Sequence, residues 1–258
     1  MKILIADVFS ESHLTGFQKL GLELDYRPQL PAAELPQALA GVSILVVRSR
    51  QVSKKAIEAG TALSLIVRAG AGVNTIDLNA ASARGVFVAN CPGQNSIAVA
   101  ELTMGLLVAL DRRIPEQVAE LRAGRWNKKE YSKASGLHGR TLGVVGTGAI
   151  GQAVMRRAQA FGMNVLAFSR SLSAERAAAL GVGRAETVPA LCAQSDAVTV
   201  HVAYAPETHH LIGEAALSRM HHRAMLINTS RAEVIDSAAL RRAVADKALR
   251  VAVDVFDR

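Results

Sequence analysis

The stretch Leu142-Gly143-Val144-Val145-Gly146-Thr147-Gly148-Ala149-Ile150-Gly151 decides the fold. Leu142 to Val145 is a short apolar run of the kind buried as a strand, and Gln152 to Phe161, beyond the last glycine, suits a helix. Between them stands G-x-G-x-x-G, in which the first glycine permits a tight turn, the second lets backbone come close to a pyrophosphate, and the third lets helix pack on strand. The helix N-terminus adds unpaired N–H groups and the positive end of a dipole. A bare glycine turn is the plain alternative, but the strand before and the second strand after favour a dinucleotide site formed by Gly146, Gly148, Ala149, Ile150 and Gly151.

The second strand, Val165 to Phe168, runs into Ser169-Arg170. An NAD-selective site offers Asp or Glu to the adenosine ribose here. That carboxylate is missing. Ser169 leaves room for a 2′-phosphate and Arg170 supplies a charge-assisted partner, so NADP is favoured over NAD, the alternative being that Arg170 simply points into water.

Working outward, apolar runs alternate with helix-like segments over the whole chain. Lys2 to Ala6, Ser43 to Val47, Leu65 to Val67 and Val86 to Val88 form a first series of strands, with helices over Ser53 to Ala59 and Ile76 to Ala83. Leu142 to Val145, Val165 to Phe168, Ala197 to Val202, Met225 to Ile227 and Val251 to Val255 form a second. The fold class is therefore α/β, with two doubly wound parallel-sheet domains of Rossmann or flavodoxin type. The apolar helical stretch Ser96 to Leu110 marks the crossover, dividing the chain into residues 1–96 and 97–258.

Half of the 258 residues are hydrophobic, enough for two ordinary cores, and the longest greasy run, Leu102 to Leu110, is too short to span a bilayer. The net charge of +8 is scattered. Its densest group, Arg122, Arg125, Lys128, Lys129 and Lys133 around Trp126, has no nucleic-acid module and reads as a solvated or subunit-facing patch. Cys91 and Cys192 lack ligand spacing, so no metal site is expected, and a reducing, cytoplasmic setting is.

The stretches Leu45 to Arg50, Ile66 to Asp77, Asn95 to Glu101, His138 to Gly143, Ile227 to Arg231 and Val253 to Phe256 together resemble the D-isomer-specific 2-hydroxyacid dehydrogenases, and among them the phosphoglycerate dehydrogenases most. The resemblance implies a nicotinamide-dependent oxidoreductase acting on a small D-2-hydroxy or 2-oxo acid such as 3-phosphoglycerate, without nucleic-acid or membrane partners. It makes residues 1–96 the substrate-binding domain, with Arg48, Ser49, Arg68, Gly70, Ala71, Gly72 and Asn95 on the substrate side. Gly70-Ala71-Gly72 follows a strand, and its backbone N–H groups suit a carboxylate. On the cofactor side the resemblance adds Val202, Thr229 and Asp254. Arg231 becomes the catalytic cation, polarising the reacting carbon; Ala232 beside it, where the family has Gly, implies a slightly strained turn. A homodimer through Ser96 to Leu110 and the segment to Trp126 is implied too.

In the family a His moves the substrate proton and a Glu orients that His. Counting on from Asp254 places both beyond Arg258, and none of the seven histidines sits in the matching motif. His201 reads as structural; His209-His210 and His221-His222 read as surface residues. The expectation is a C-terminally truncated chain whose two domains both lack a closing segment and which is inactive by itself. The alternative is a non-enzymatic, dinucleotide-sensing dimeric scaffold.

Overall fold

Short runs rich in Val, Ile and Leu become most of the strands of two separate parallel sheets. The computed structural model describes residues 1–256, and the chain divides into two units, residues 1–95 and residues from 96 onward.

In the first unit the order along the chain is β1 (Lys2–Ile5), α1 (Glu11–Gln18), β2 (Glu23–Tyr26), α2 (Leu35–Ala38), β3 (Ile44–Val47), α3 (Lys54–Ala59), β4 (Leu65–Arg68), α4 (Leu78–Ala83) and β5 (Phe87–Asn90). The strands lie in the order β2-β1-β3-β4-β5, all parallel, with registers such as Ile3↔Ile44, Val47↔Arg68 and Leu65↔Phe87. Side chains alternate across the sheet. Leu4, Leu45, Val47 and Ile66 pack on one face with Ala56, Ile57 and Ala80, while Ile3, Ile5 and Val46 meet Phe9, Leu14 and Phe17 on the other. Ser53 and Asp77 cap α3 and α4, accepting the N–H groups of Ala56 and Ala80.

The second unit runs α5 (Ser96–Arg112), α6 (Ile114–Arg122), α7 (Lys128–Tyr131), β6 (Thr141–Val145), α8 (Ala149–Ala160), β7 (Asn164–Phe168), α9 (Ala174–Ala179), β8 (Gly183–Arg184), α10 (Val188–Ala193), β9 (Ala197–Val200), α11 (Glu214–Leu217), β10 (Met225–Asn228), α12 (Ser237–Lys247) and β11 (Arg250–Val253). Its strand order is β11-β10-β9-β6-β7-β8, again parallel. The central strands β9 and β10 are buried throughout, because helices cover both faces. Ala100, Met104 and Leu107 of α5 join Ala153, Val154 and Ala158 of α8 on one side. Leu191, Leu217 and Ala239, from α10, α11 and α12, fill the other. In each sheet the strand order reverses at one point, β1/β3 in the first and β6/β9 in the second, and open α/β sheets bind ligands outside the carboxyl ends at such points. Among the described residues no helix is long and apolar enough to cross a membrane.

Gly143 lies mid-strand in β6, and a Cβ there would run into the side chains of Leu191 and Ser195, both fully buried. Gly16, in α1, has open space around it. Gly143→Ala should cost about 1–3 kcal/mol through overpacking, and Gly16→Ala should gain up to about 1 kcal/mol from helix propensity. Urea unfolding followed by circular dichroism reads both; equal effects would contradict the packing described.

Candidate functional site

Backbone contacts fix the turn after β6. Gly146 adopts φ +103°, and a Cβ there would collide with the carbonyl of His201. Its N–H donates to the carbonyl of Phe168 at 2.8 Å. At Gly151, in the first turn of α8, a Cβ would overlap the carbonyl of Gly146. Both glycines are therefore demanded by the protein itself. Gly148 is different. Its φ of −71° is open to any residue, and nothing lies within 4 Å of where its Cβ would stand. The N-cap Gly148 gives α8 no side-chain cap, so among the described residues the N–H groups opening the helix lie beside that open space uncapped. An oxyanion completes such an arrangement, and a dinucleotide pyrophosphate fits it.

Ser169 and Arg170 follow β7, next to β6 in the sheet. Ser169 Oγ accepts the N–H of Ser171 at 3.4 Å. Arg170 is exposed and has no ion pair among the described residues.

The turn after β10 is built around Asn228, whose Oδ1 accepts the N–H and Oγ–H of Ser230 at 2.9 and 2.7 Å. Asn228 Nδ2 donates to the Arg231 carbonyl at 2.8 Å, and Arg231 donates to the Ser230 carbonyl at 2.7 Å. The strained turn expected from Ala232 does not occur: a short 3₁₀ turn begins there and Ala232 lies outside the left-handed region, so a Cβ is tolerated. Asp254 donates its N–H to Asn228 O at 3.0 Å, extending the β10–β11 ladder, and its side chain is exposed. Val202 packs against the core on the α10–α12 side.

Thr229 is buried and lies 3.5 Å from His201 Nδ1, while His201 Nε2 lies 2.9 Å from Thr199 Oγ1. Burial pushes the His201 pKa down to about 4, so the ring is neutral at ordinary pH.

The first unit supplies a second set of loops. Asp7, two residues past β1, accepts the backbone N–H groups of Arg48, Ser49 and Arg50 at 2.7, 3.2 and 3.2 Å. Arg50 is spent on the carbonyls of Ala6, Leu30 and Pro28. Arg48 is exposed, with no ion pair among the described residues. The Arg68 guanidinium folds over Gly70, where a Cβ would strike it. The Gly70-Ala71-Gly72 loop needs one correction: Gly70 N–H already donates to Arg68 O at 2.8 Å. Among the described residues, the N–H groups of Ala71 and Gly72 make no backbone–backbone hydrogen bond. Asn90 Nδ2 holds the loop by donating to the Ala71 carbonyl at 2.6 Å. Asn95 is exposed just ahead of α5.

Thus Gly146 to Gly151, Ser169, Arg170, Val202, Thr229, Arg231 and Asp254 follow strand carboxyl ends in one sheet. Arg48, Ser49, Arg68 and Gly70 to Gly72 gather at the carboxyl ends of β3 and β4 in the other. Sequence reasoning missed Asp7, Asn90 and the clamp by Asn228; an acidic residue just after the first strand was the one available signal.

The model of the family described as D-isomer specific 2-hydroxyacid dehydrogenase, NAD binding domain, matches residues 104–258. The chain belongs to the D-isomer-specific 2-hydroxyacid dehydrogenases. This chain is 39% identical to the D-3-phosphoglycerate dehydrogenase of Methanocaldococcus jannaschii, over 100% of its own length and 49% of that protein. It therefore spans about half the length of the curated relatives it matches. Among solved structures, the TT0316 protein of Thermus thermophilus is 33% identical with a TM-score of 0.88, covering all of this chain and 82% of that one. An acyclic imino acid reductase (Bsp5), solved with NADPH and D-Arg, is 26% identical with a TM-score of 0.89, covering all of this chain and 84% of that one.

Because His201 protonates near pH 4 in the folded chain but near 6.5 when unfolded, its contribution to stability is complete above about pH 6.5 and is lost as pH falls toward 4. The loss should reach at most about 3 kcal/mol. Urea midpoints measured between pH 4 and 8 should fall on the acid side, and His201→Phe should flatten that slope; an unchanged slope would remove the assignment.

Proposed function

We propose that this dehydrogenase chain carries the cofactor-binding and substrate-binding residues of an oxidoreductase that moves a hydride between nicotinamide and a D-2-hydroxy or 2-oxo acid, 3-phosphoglycerate or a similar phosphorylated acid being the substrate. The observation that carries this reading is the uncapped amino end of α8, left open by Gly148 at the same sheet edge as Arg231. Residues 1–96 serve as the substrate domain and residues 97–258 as the dinucleotide domain. Bound nicotinamide supplies or accepts the hydride.

The chain's own residues bind and orient. Ala71 and Gly72 offer N–H groups to the substrate carboxylate, with Gly70 contributing shape alone; Ser49 and Asn95 contribute polar contacts and Arg48 and Arg68 positive charge. Arg231, held by the Asn228 clamp, stabilises negative charge on the reacting oxygen, a preorganised electrostatic role. Thr229, Val202 and Asp254 line the nicotinamide end. His201 is neutral and engaged with two threonines, and His209 and His210 stack on each other with ring centroids 3.8 Å apart. None of these three is disposed as an acid/base. We therefore propose slow turnover by these 258 residues alone, since general acid/base catalysis contributes about 10² to 10⁴ in rate.

NADP over NAD is supported by Ser169 and Arg170 in place of a carboxylate. A homodimer is supported by Ile114, Val118 and Leu121, which share one face of α6 yet are 43%, 42% and 60% exposed, and by Trp126, shortly after that helix, at 78%.

Calorimetric titration should show NADPH bound more tightly than NADH, with Arg170→Ala weakening NADPH by roughly tenfold and leaving NADH unchanged; an unaltered ratio would refute the phosphate pairing. With 3-phosphohydroxypyruvate and NADPH the chain should show little oxidation above background, and normal turnover would place the proton transfer on one of its own histidines. Sedimentation should give a dimer that Leu121→Glu dissociates.

A further inference from the structure

One buried polar chain in the second unit joins Thr229, already given to the cofactor side, to three residues that have no place in the mechanism above. It starts on α5, where Thr103 Oγ1 donates to the Val99 carbonyl at 2.8 Å and lies 3.3 Å from Thr229 Oγ1. Thr103 is 1% exposed and Thr229 9%. From Thr229 the chain continues to His201 Nδ1 at 3.5 Å, and from His201 Nε2 to Thr199 Oγ1 at 2.9 Å. It crosses from a helix to the ends of β10 and β9.

Its centre touches the cofactor turn through backbone. His201 N–H donates to the Val145 carbonyl at 2.8 Å, and the His201 carbonyl is the group that bars a Cβ at Gly146. One residue therefore contacts the first glycine of the pyrophosphate turn with its main chain and the residue two before Arg231 with its ring. A buried apolar residue would fill the same volume without the link from β9 to β10. Buried polar groups are costly unless paired, so a network kept here has work that packing alone does not supply.

We infer that His201 is a positioning residue for the dinucleotide: through Thr229 and Thr103 it holds the Gly146 turn and the Thr229 to Arg231 turn in the register that the bound cofactor needs. This rests on the dinucleotide reading of Gly146 to Gly151. The role needs a ring that shares its nitrogens between two hydroxyls, as a neutral imidazole does. Thr103 lies on a helix to which no cofactor contact is assigned, so any effect of changing it must travel through the network.

The test is a double-mutant cycle read by dinucleotide binding to the 258-residue chain. NADPH and NADH are titrated against the parent chain, Thr103→Val, His201→Phe and the pair, with thermal melting recorded for each. Each single change should weaken binding by roughly two- to thirtyfold, and the double variant should be no weaker than His201→Phe. His201→Asn, whose amide stands near the position of Nδ1, should recover most of the loss. If His201→Phe does not fold, Thr103→Val alone decides: near-isosteric and outside the site, it must still weaken binding. Parental affinity in a folded Thr103→Val or His201→Phe, or strictly additive losses, would overturn the inference while leaving the cofactor reading intact. Failure of the parent chain to bind either dinucleotide would overturn both.

Discussion

The second unit depends on one close approach of backbone to backbone, where the turn after β6 passes against the carbonyl of His201 at the end of β9. That approach admits no side chain at Gly146, and the return of α8 onto the strand admits none at Gly151. Once both are satisfied, the amino end of α8 points out of the sheet edge at the place where the strand order reverses. The helix dipole, the uncapped N–H groups and the open space at Gly148 then coincide without further adjustment. The nearby Asn228 clamp works differently. It replaces backbone partners with a side-chain amide, so the turn carrying Arg231 is set by hydrogen bonds and tolerates Ala232.

What the sequence made legible follows from how local each signal is. Strands buried on both faces, such as β6, β9 and β10, announce themselves as continuous apolar runs, and the glycine turn sits between a strand and a helix that are each readable alone. β2 was not legible. Its Glu23 and Asp25 belong to an edge strand, and the Arg27 guanidinium, with help from Lys2, holds the Asp25 carboxyl below its usual range. The strand β8 is only two residues long, Gly183–Arg184, and carries no pattern. At the site, Arg231 and the Gly70 to Gly72 loop were visible as short motifs, whereas Asp7 reaches residues about forty positions away and Thr103 meets Thr229 across more than a hundred. Such pairings exist only after the topology is known. Gly70 was missed for a different reason: its N–H looks free in sequence, but the local turn conformation uses it on the Arg68 carbonyl.

The positive charge sorts itself by the same logic. Arg27, Arg113, Arg125, Arg140, Arg184 and Arg242 each lie against a carboxylate. The basic group around Trp126 is partly neutralised in this way, by Glu120 and Glu130, whose carboxyl is held down to about 2 by Lys133 and Arg113. Arg50, Arg84 and Arg250 are spent on backbone carbonyls. Arg48 and Arg170 are exposed without an acidic partner among the described residues, and each follows a strand carboxyl end. A net charge of +8 therefore conveys less than its distribution does. Arginines that brace the fold have internal acceptors, and two that lack them stand where open α/β sheets receive anions.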